Sequence, residues 1–144
     1  MPAMVAMEAG RWRAFVSAGT RTGKLATVRA DGRPHVAPIW FLLDGEDVVF
    51  NTGASSVKGR SLARTGVASL CVDDEAPPFA FVTVTGTVRL SEDLDEVRVW
   101  ATRIAARYMG AAAAPAYGAR NGVPGELLVR LTPTSIVAEQ GVAD

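Results

Sequence analysis

Between residues 79 and 90 the chain alternates in a simple way. Val82, Val84, Val88 and Leu90 fall on one side, and Thr83, Thr85, Thr87 and Arg89 on the other. That period of two predicts a long strand with one buried face. Gly86 lies on the apolar side, which predicts a bulge or a close backbone approach. Shorter runs of the same kind cover residues 24–29, 36–43 and 46–51, separated by Asp31-Gly32 and Asp44-Gly45, both strong turn signals. Pro34 and Pro38 flank or interrupt the second run, and Pro38 has no N–H to give a ladder, so this strand belongs at an edge or a bulge. Residues 67–72 form a fourth run. Residues 127–139 form a last one, kinked at Pro133.

Helical spacing appears in three places. Residues 8–17 place Trp12, Phe15 and Val16 on one side, leaving Arg11 and Arg13 solvated. Residues 55–64 read as a helix opening at Ser55 or Ser56 and stopping at Thr65-Gly66. The clearest helix comes after Ser91, read as its cap. Leu94, Val97, Ala101, Ile104, Ala105 and Tyr108 make its apolar face, acids cluster at its start, Arg103 and Arg107 lie near its end, and Gly110 closes it. Residues 111–125, rich in Ala, Gly and Pro, read as a loop or lid carrying Tyr117 and Arg120. Residues 73–78 are a polar loop and residues 141–144 a tail.

The pattern therefore predicts a mainly β chain: about six antiparallel strands, two to three flanking helices, and a closed or half-closed barrel, because closure removes exposed edges. With 144 residues and no internal repeat or linker, residues 1–144 read as a single domain.

Composition narrows the function. Hydrophobic residues make up 49% and charged residues 21%, which suits a globular domain, and the net charge is zero. Aromatics reach only 7%, so single-stranded nucleic acid, which needs stacking residues along a basic groove, is not expected as a partner. One cysteine, Cys71, and one histidine, His35, leave no thiolate or His-rich metal site, and no metal is expected. No run approaches a membrane helix, and residues 1–10 show no signal peptide, so the cytoplasm is the default. The wealth of Ala, Gly, Val and Arg suits a GC-rich, actinobacterial type of genome.

Charge is unevenly spread. From Arg11 to Arg64 there are nine Lys/Arg against four acids, and no acid lies between Asp47 and Asp73. Within that stretch Lys58 and Arg60 occupy the first turns of the predicted helix, where the backbone already presents a partial positive charge and carboxylates are preferred. One reading is a phosphate cradle of free N–H groups, Ser hydroxyls and a Lys/Arg pair. The other is a surface helix with an unfavourable first turn. His35 lacks an assignable partner for a catalytic triad and reads more readily as a structural or surface residue. Trp40 fits either core packing or a pocket wall.

Taken together, Leu25-Ala26-Thr27-Val28, the segment from Asp31 through Pro38-Ile39-Trp40-Phe41, Phe50-Asn51-Thr52, Lys58-Gly59-Arg60-Ser61-Leu62, Val67-Ala68-Ser69-Leu70, Val84-Thr85-Gly86-Thr87-Val88 and Leu131-Thr132-Pro133-Thr134 resemble the pyridoxamine 5'-phosphate oxidase-like, FMN-binding split-barrel family. Pro38-Ile39-Trp40 resembles the branch of deazaflavin-dependent oxidoreductases that use coenzyme F420. The resemblance spans roughly residues 20–140, through the order and spacing of many short motifs. It implies a six-stranded split barrel, forming a homodimer with cofactor sites at the subunit interface. It implies that Thr52, Ser55, Ser56, Lys58 and Arg60 hold the cofactor phosphate. It further implies that Ala37, Pro38 and Trp40, with Thr27 as an additional candidate, lie along the ring. Where enzymes that oxidise pyridoxamine phosphate carry an Arg and a Lys, this chain has Ala37 and Leu42, and its C-terminal segment is not basic. The resemblance therefore points away from vitamin B6 oxidation.

The expected function is thus that of an oxidoreductase passing hydride from reduced coenzyme F420 to a conjugated small-molecule acceptor such as an enone, quinone or tetrapyrrole. The alternatives are an FMN-binding flavin reductase or oxidase on the same barrel, and a non-catalytic carrier of F420 or flavin. Tyr108, Tyr117 and His35 are the candidate proton donors.

Overall fold

The computed structural model describes residues 5–143. The start of the segment read for a leader, residues 1–4, and the last residue of the expected tail lie outside them. The elements run β1 (Val5–Ala6), α1 (Arg11–Ser17), β2 (Gly23–Val28), β3 (Pro34–Ile39), β4 (Leu42–Asp44), β5 (Asp47–Gly53), α2 (Val57–Thr65), β6 (Val67–Asp74), β7 (Ala80–Ser91), α3 (Leu94–Met109), α4 (Ala114–Asn121) and β8 (Glu126–Gln140). The protein is mainly β, with one antiparallel sheet ordered β3-β2-β6-β7-β8-β5-β4 and β1 paired to β8. The edge strands β3 and β4 are joined by only Trp40 and Phe41. So short a link forces the two ends of the sheet together without a ladder between them, and the sheet curls into a split barrel whose seam is Trp40–Phe41.

Eight strands replace the expected six. One addition is the two-residue β1. The other arises because the single strand read over residues 36–43 breaks at the seam. There the Phe41 N–H donates to the Tyr108 hydroxyl, and the Phe41 carbonyl accepts from Arg107 Nη1 at 2.8 Å, so side chains replace a neighbouring strand. Pro34 and Pro38 lie on the edge strand β3, as their missing donors require.

The inward face carries the core: Leu25, Ile39, Phe41, Val48, Phe50, Leu70, Val72, Val82, Val84, Val129 and Leu131 are all buried. Gly86 meets the expectation set for it. The β7–β8 register shifts between Thr85 and Gly86. A Cβ on Gly86 would lie 1.9 Å from the Thr132 carbonyl oxygen, so only glycine fits at this bulge.

On the outer face, Val49 and Leu128 pack against Val97 and Trp100 of α3. Ser91 does not cap that helix. Asp93 does, its carboxylate accepting from the Glu96 N–H at 3.1 Å, while Ser91 accepts from the Asp93 N–H one step earlier. α1 begins three residues later than expected, because Gly10 takes a left-handed conformation before it. The expected loop at 111–125 contains α4. Pro115 sits in its first turn, where a missing N–H costs nothing, and the helix docks closely on α3. A Cβ on Gly118 would lie 1.9 Å from the Thr102 hydroxyl oxygen, and Arg98 Nε donates to the Gly122 carbonyl at 2.7 Å. The glycine that signalled a loop is what lets two helices approach.

Candidate functional site

The β5–α2 turn is built as its sequence suggested. Ser56 is the N-cap of α2. Its hydroxyl accepts from the Gly59 N–H at 3.0 Å and donates to the Gly53 carbonyl at 2.7 Å, and the Ser56 N–H also turns back to Gly53. Among the described residues this leaves the N–H groups of Val57 and Lys58 as the unpaired donors of the helix start. Gly59 allows the tight return, since a Cβ there would meet the Gly53 carbonyl oxygen at 2.1 Å.

Beside this turn lies a cavity of about 580 Å3. Pro38, Ile39 and Trp40 wall it from the seam, Ala101 and Ile104 from α3, and Arg120 and Asn121 from α4. Asn51, Lys58 and Glu126 complete it. Trp40 is fixed from behind. It stacks on Tyr108 with ring centroids 5.1 Å apart and planes within 3°, while Tyr117 tilts against it at 6.1 Å. Arg120 lies over the Tyr117 ring, 5.7 Å from its centroid.

The structure brings Pro38, Trp40 and Lys58 together in this cavity and distributes the other sequence-predicted residues elsewhere. Arg60 lines a separate groove of about 300 Å3 with Arg29, Arg33 and Arg64, on the other face of α2. Thr52 points into the barrel and is buried at 3% exposure, its hydroxyl 3.2 Å from that of Ser56. Ser56 itself is engaged in its cap, and Ser55 is exposed. Ala37 lies opposite Leu25 on the inward side of β3. Thr27 and His35 are register partners, and the Thr27 hydroxyl and His35 Nδ1 are the buried side-chain polar atoms without a partner among the described residues.

Of the expected proton donors, Tyr108 is held in a structural role. Its hydroxyl accepts from the Phe41 N–H at 3.2 Å and donates to the Arg21 carbonyl at 2.9 Å. Burial raises its phenol above the ordinary value, opposed by the bond to Phe41 and the charge of Arg107. Arg107 beside it ties α3 to the carbonyls of Val16, Gly19 and Phe41. Tyr117 is half-buried at the cavity's rim against Trp40.

Sequence reasoning marked Arg120 as able to touch a ligand, and missed Asn51, Asn121 and above all Glu126. The sequence near α2 has no acid, yet β8 supplies one. Glu126 pairs with Gly53 across the β5–β8 ladder, and its Oε2 lies 3.4 Å from where a Cβ on Gly53 would sit. Burial raises its carboxyl above the ordinary value, and Lys58 pulls it the other way. The only available signal was the pairing itself, which joins residues about half the chain apart.

The lining combines an apolar, aromatic wall with two cations, two amides and one carboxylate, a set that suits a flat-ringed ligand with a phosphate. Among the described residues no His/Cys/Asp/Glu group could hold a metal, and no helix is long and apolar enough to cross a membrane.

The seam and the curled sheet define a split-barrel protein. The chain belongs to the pyridoxamine 5'-phosphate oxidase family, whose model matches residues 10–138. No curated protein sequence matches it. Among solved structures, a conserved hypothetical protein, Rv2991, from Mycobacterium tuberculosis superposes with a TM-score of 0.82 at 22% identity, covering 98% of this chain and 89% of that one. An F420 reductase superposes with a TM-score of 0.69 at 27% identity, covering 85% and 93%. The heme storage protein HutZ from Vibrio cholerae gives a TM-score of 0.71 at 18% identity, covering 92% and 96%.

Proposed function

We propose that the protein is an oxidoreductase that uses reduced coenzyme F420 to reduce a conjugated small-molecule acceptor. The observation that carries this reading is the cavity at the seam, where Trp40 and Lys58 line one space. The likeness to an F420 reductase at 27% identity supports the choice of cofactor.

When bound, the deazaflavin supplies a hydride from its C5, and the chain supplies binding and orientation. Lys58 and the N–H groups of Val57 and Lys58 would take the phosphate, as a helix start does. Trp40, fixed by Tyr108, gives the ring system a flat wall that does not rotate away. Asn51 and Asn121 offer amide groups to its polar edge. α4 contributes Arg120 and Asn121 to one wall. Tyr117, tilted against Trp40 with ring centroids 6.1 Å apart, is the candidate proton donor, since Tyr108 is held by its backbone bonds.

The site works best as part of a homodimer. Beyond the contact of α3 with Leu128, the outer face of β3, β2, β6, β7 and the C-terminal part of β8 carries Val28, Val36, Val67 and Val137, each about half exposed or more, among Thr and Ser. A second copy of the chain would cover such a face.

An FMN-dependent reductase or oxidase is the second reading, supported by the family itself. Vitamin B6 oxidation is disfavoured because Leu42, at a position where the resemblance expects a cation, packs against the cluster of Val49, Val97, Trp100 and Leu128. The test is a fluorescence titration with F420 and FMN, and then mixing of the reduced-F420 complex with quinone, enone and tetrapyrrole acceptors. F420 binding with acceptor-dependent oxidation supports the reading. FMN binding alone replaces it with the second, and F420 binding without any oxidation makes the protein a carrier.

A further inference from the structure

We propose that Glu126 makes the seam cavity select a phosphodiester, which carries one negative charge, over a phosphomonoester, which carries two. The inference rests on the reading that this cavity takes a phosphate-bearing flavin-like cofactor, and adds which phosphate chemistry it accepts.

Three charged side chains line the cavity: Lys58 from α2, Arg120 from α4 and Glu126 from β8. Their sum is one positive charge. Glu126 stands where that sum matters. Because Gly53 has no side chain, its register partner Glu126 can lie across it. The point 3.4 Å from Glu126 Oε2, where a Gly53 Cβ would be, is also 4.0 Å from Ser56 Cβ. The carboxylate therefore sits beside the N-cap of α2, next to the cations and N–H groups that would receive a phosphate. A single negative charge there is matched by Lys58 and the helix start. A second one meets the Glu126 carboxylate, which already draws on the charge of Lys58. A monoester gains its second charge near pH 6, whereas a diester has no second proton to lose. F420 joins its phosphate to the rest of the molecule as a diester; FMN ends in a monoester. Among the described residues the only other charged groups lining the cavity are Lys58 and Arg120, and β5 contributes the neutral Asn51.

The experiment measures dissociation constants of the full chain and of its Glu126→Gln variant at a pH about 1.5 units above the second phosphate pKa. The ligands are oxidised F420, FMN, riboflavin 4',5'-cyclic phosphate (the FMN ring with a diester) and riboflavin. The cyclic diester should bind the wild type about tenfold more tightly than FMN, and Glu126→Gln should recover about tenfold for FMN while shifting the cyclic diester and F420 by less than about threefold. Glu126→Ala, with its thermal midpoint recorded, should repeat the pattern. Arg120→Gln should weaken FMN more than the diester. An equal effect of Glu126→Gln on both flavin phosphates, or none on FMN, overturns charge selection while leaving the cofactor reading intact. Failure of the wild type to bind any of the four ligands overturns both.

Discussion

Trp40 lies flat on Tyr108, their rings 5.1 Å apart and parallel to within 3°. The contact joins the seam of the barrel to the C-terminal end of α3, and the Tyr108 hydroxyl continues the join by bonding backbone atoms of Phe41 and Arg21. Tyr108 is thus a brace behind the cavity wall. Tyr108→Phe should keep the stack but leave the part-buried Phe41 N–H unpaired and the Arg21 carbonyl with only the 3.5 Å bond from Arg107, lowering stability by about 1–3 kcal/mol. Urea denaturation monitored by Trp fluorescence measures this. If the oxidoreductase reading holds, the variant should retain acceptor reduction at a temperature where it is folded. Loss of turnover without loss of stability would restore Tyr108 as a proton donor.

The two cations of the α2 start are expected to separate. Lys58 lines the seam cavity and Arg60 the arginine groove, so the phosphate-cradle reading assigns the larger role to Lys58. Lys58→Ala should weaken cofactor binding by about 1.5–3 kcal/mol, the range for a hydrogen bond to a charged group. Arg60→Ala should weaken it by less than half of that. A titration in which Arg60→Ala is the more damaging change would move the phosphate to the other face of the helix.

The Val/Thr alternation of β7 was legible in the chain alone because one of its faces is buried and the other open. β5 was not, because both its faces are covered: Val48 and Phe50 point into the barrel while Val49 packs against α3. Its apolar run has no period, so nothing in it said that Thr52 faces inward and Asn51 outward. The α2 cap was legible because its partners are local. Glu126 was not, because strand pairing brings it from far along the chain to Gly53. α4 was hidden by Pro115 and Gly118, which usually mark loops and here serve a helix start and a close helix contact.

The uncovered sheet face gives a third expectation. Val36 is 64% exposed and stands beside Ala26 on the adjacent strand, in a patch of Val, Ala, Thr and Ser. If a second copy covers this patch, Val36→Glu buries two symmetry-related charges against apolar surface and should shift the protein from dimer to monomer. Sedimentation or light scattering reads the mass. A wild-type monomer at the concentrations where cofactor binds would remove the dimer from the functional reading.

Glu126 gives a stability prediction of definite sign. Its carboxyl titrates higher in the folded protein than its ordinary value, because burial outweighs the attraction of Lys58. In the pH window between the unfolded and folded values the folded state keeps a proton that the unfolded state has lost. Stability therefore falls as pH rises through that window and stays reduced above it. Glu126→Gln removes this loss. Relative to wild type the variant should gain stability at neutral pH, and the gain should vanish on acidification below about pH 4, where Glu is protonated in both states. The effect should be small, because the side chain is only part-buried and solvent screens it. Urea midpoints of the two proteins, compared from acid to neutral pH, give the answer. A wild-type advantage at neutral pH would mean that Glu126 is held by Lys58 as a favourable ion pair, and that the carboxylate is a fixed part of the cavity wall rather than a destabilised charge.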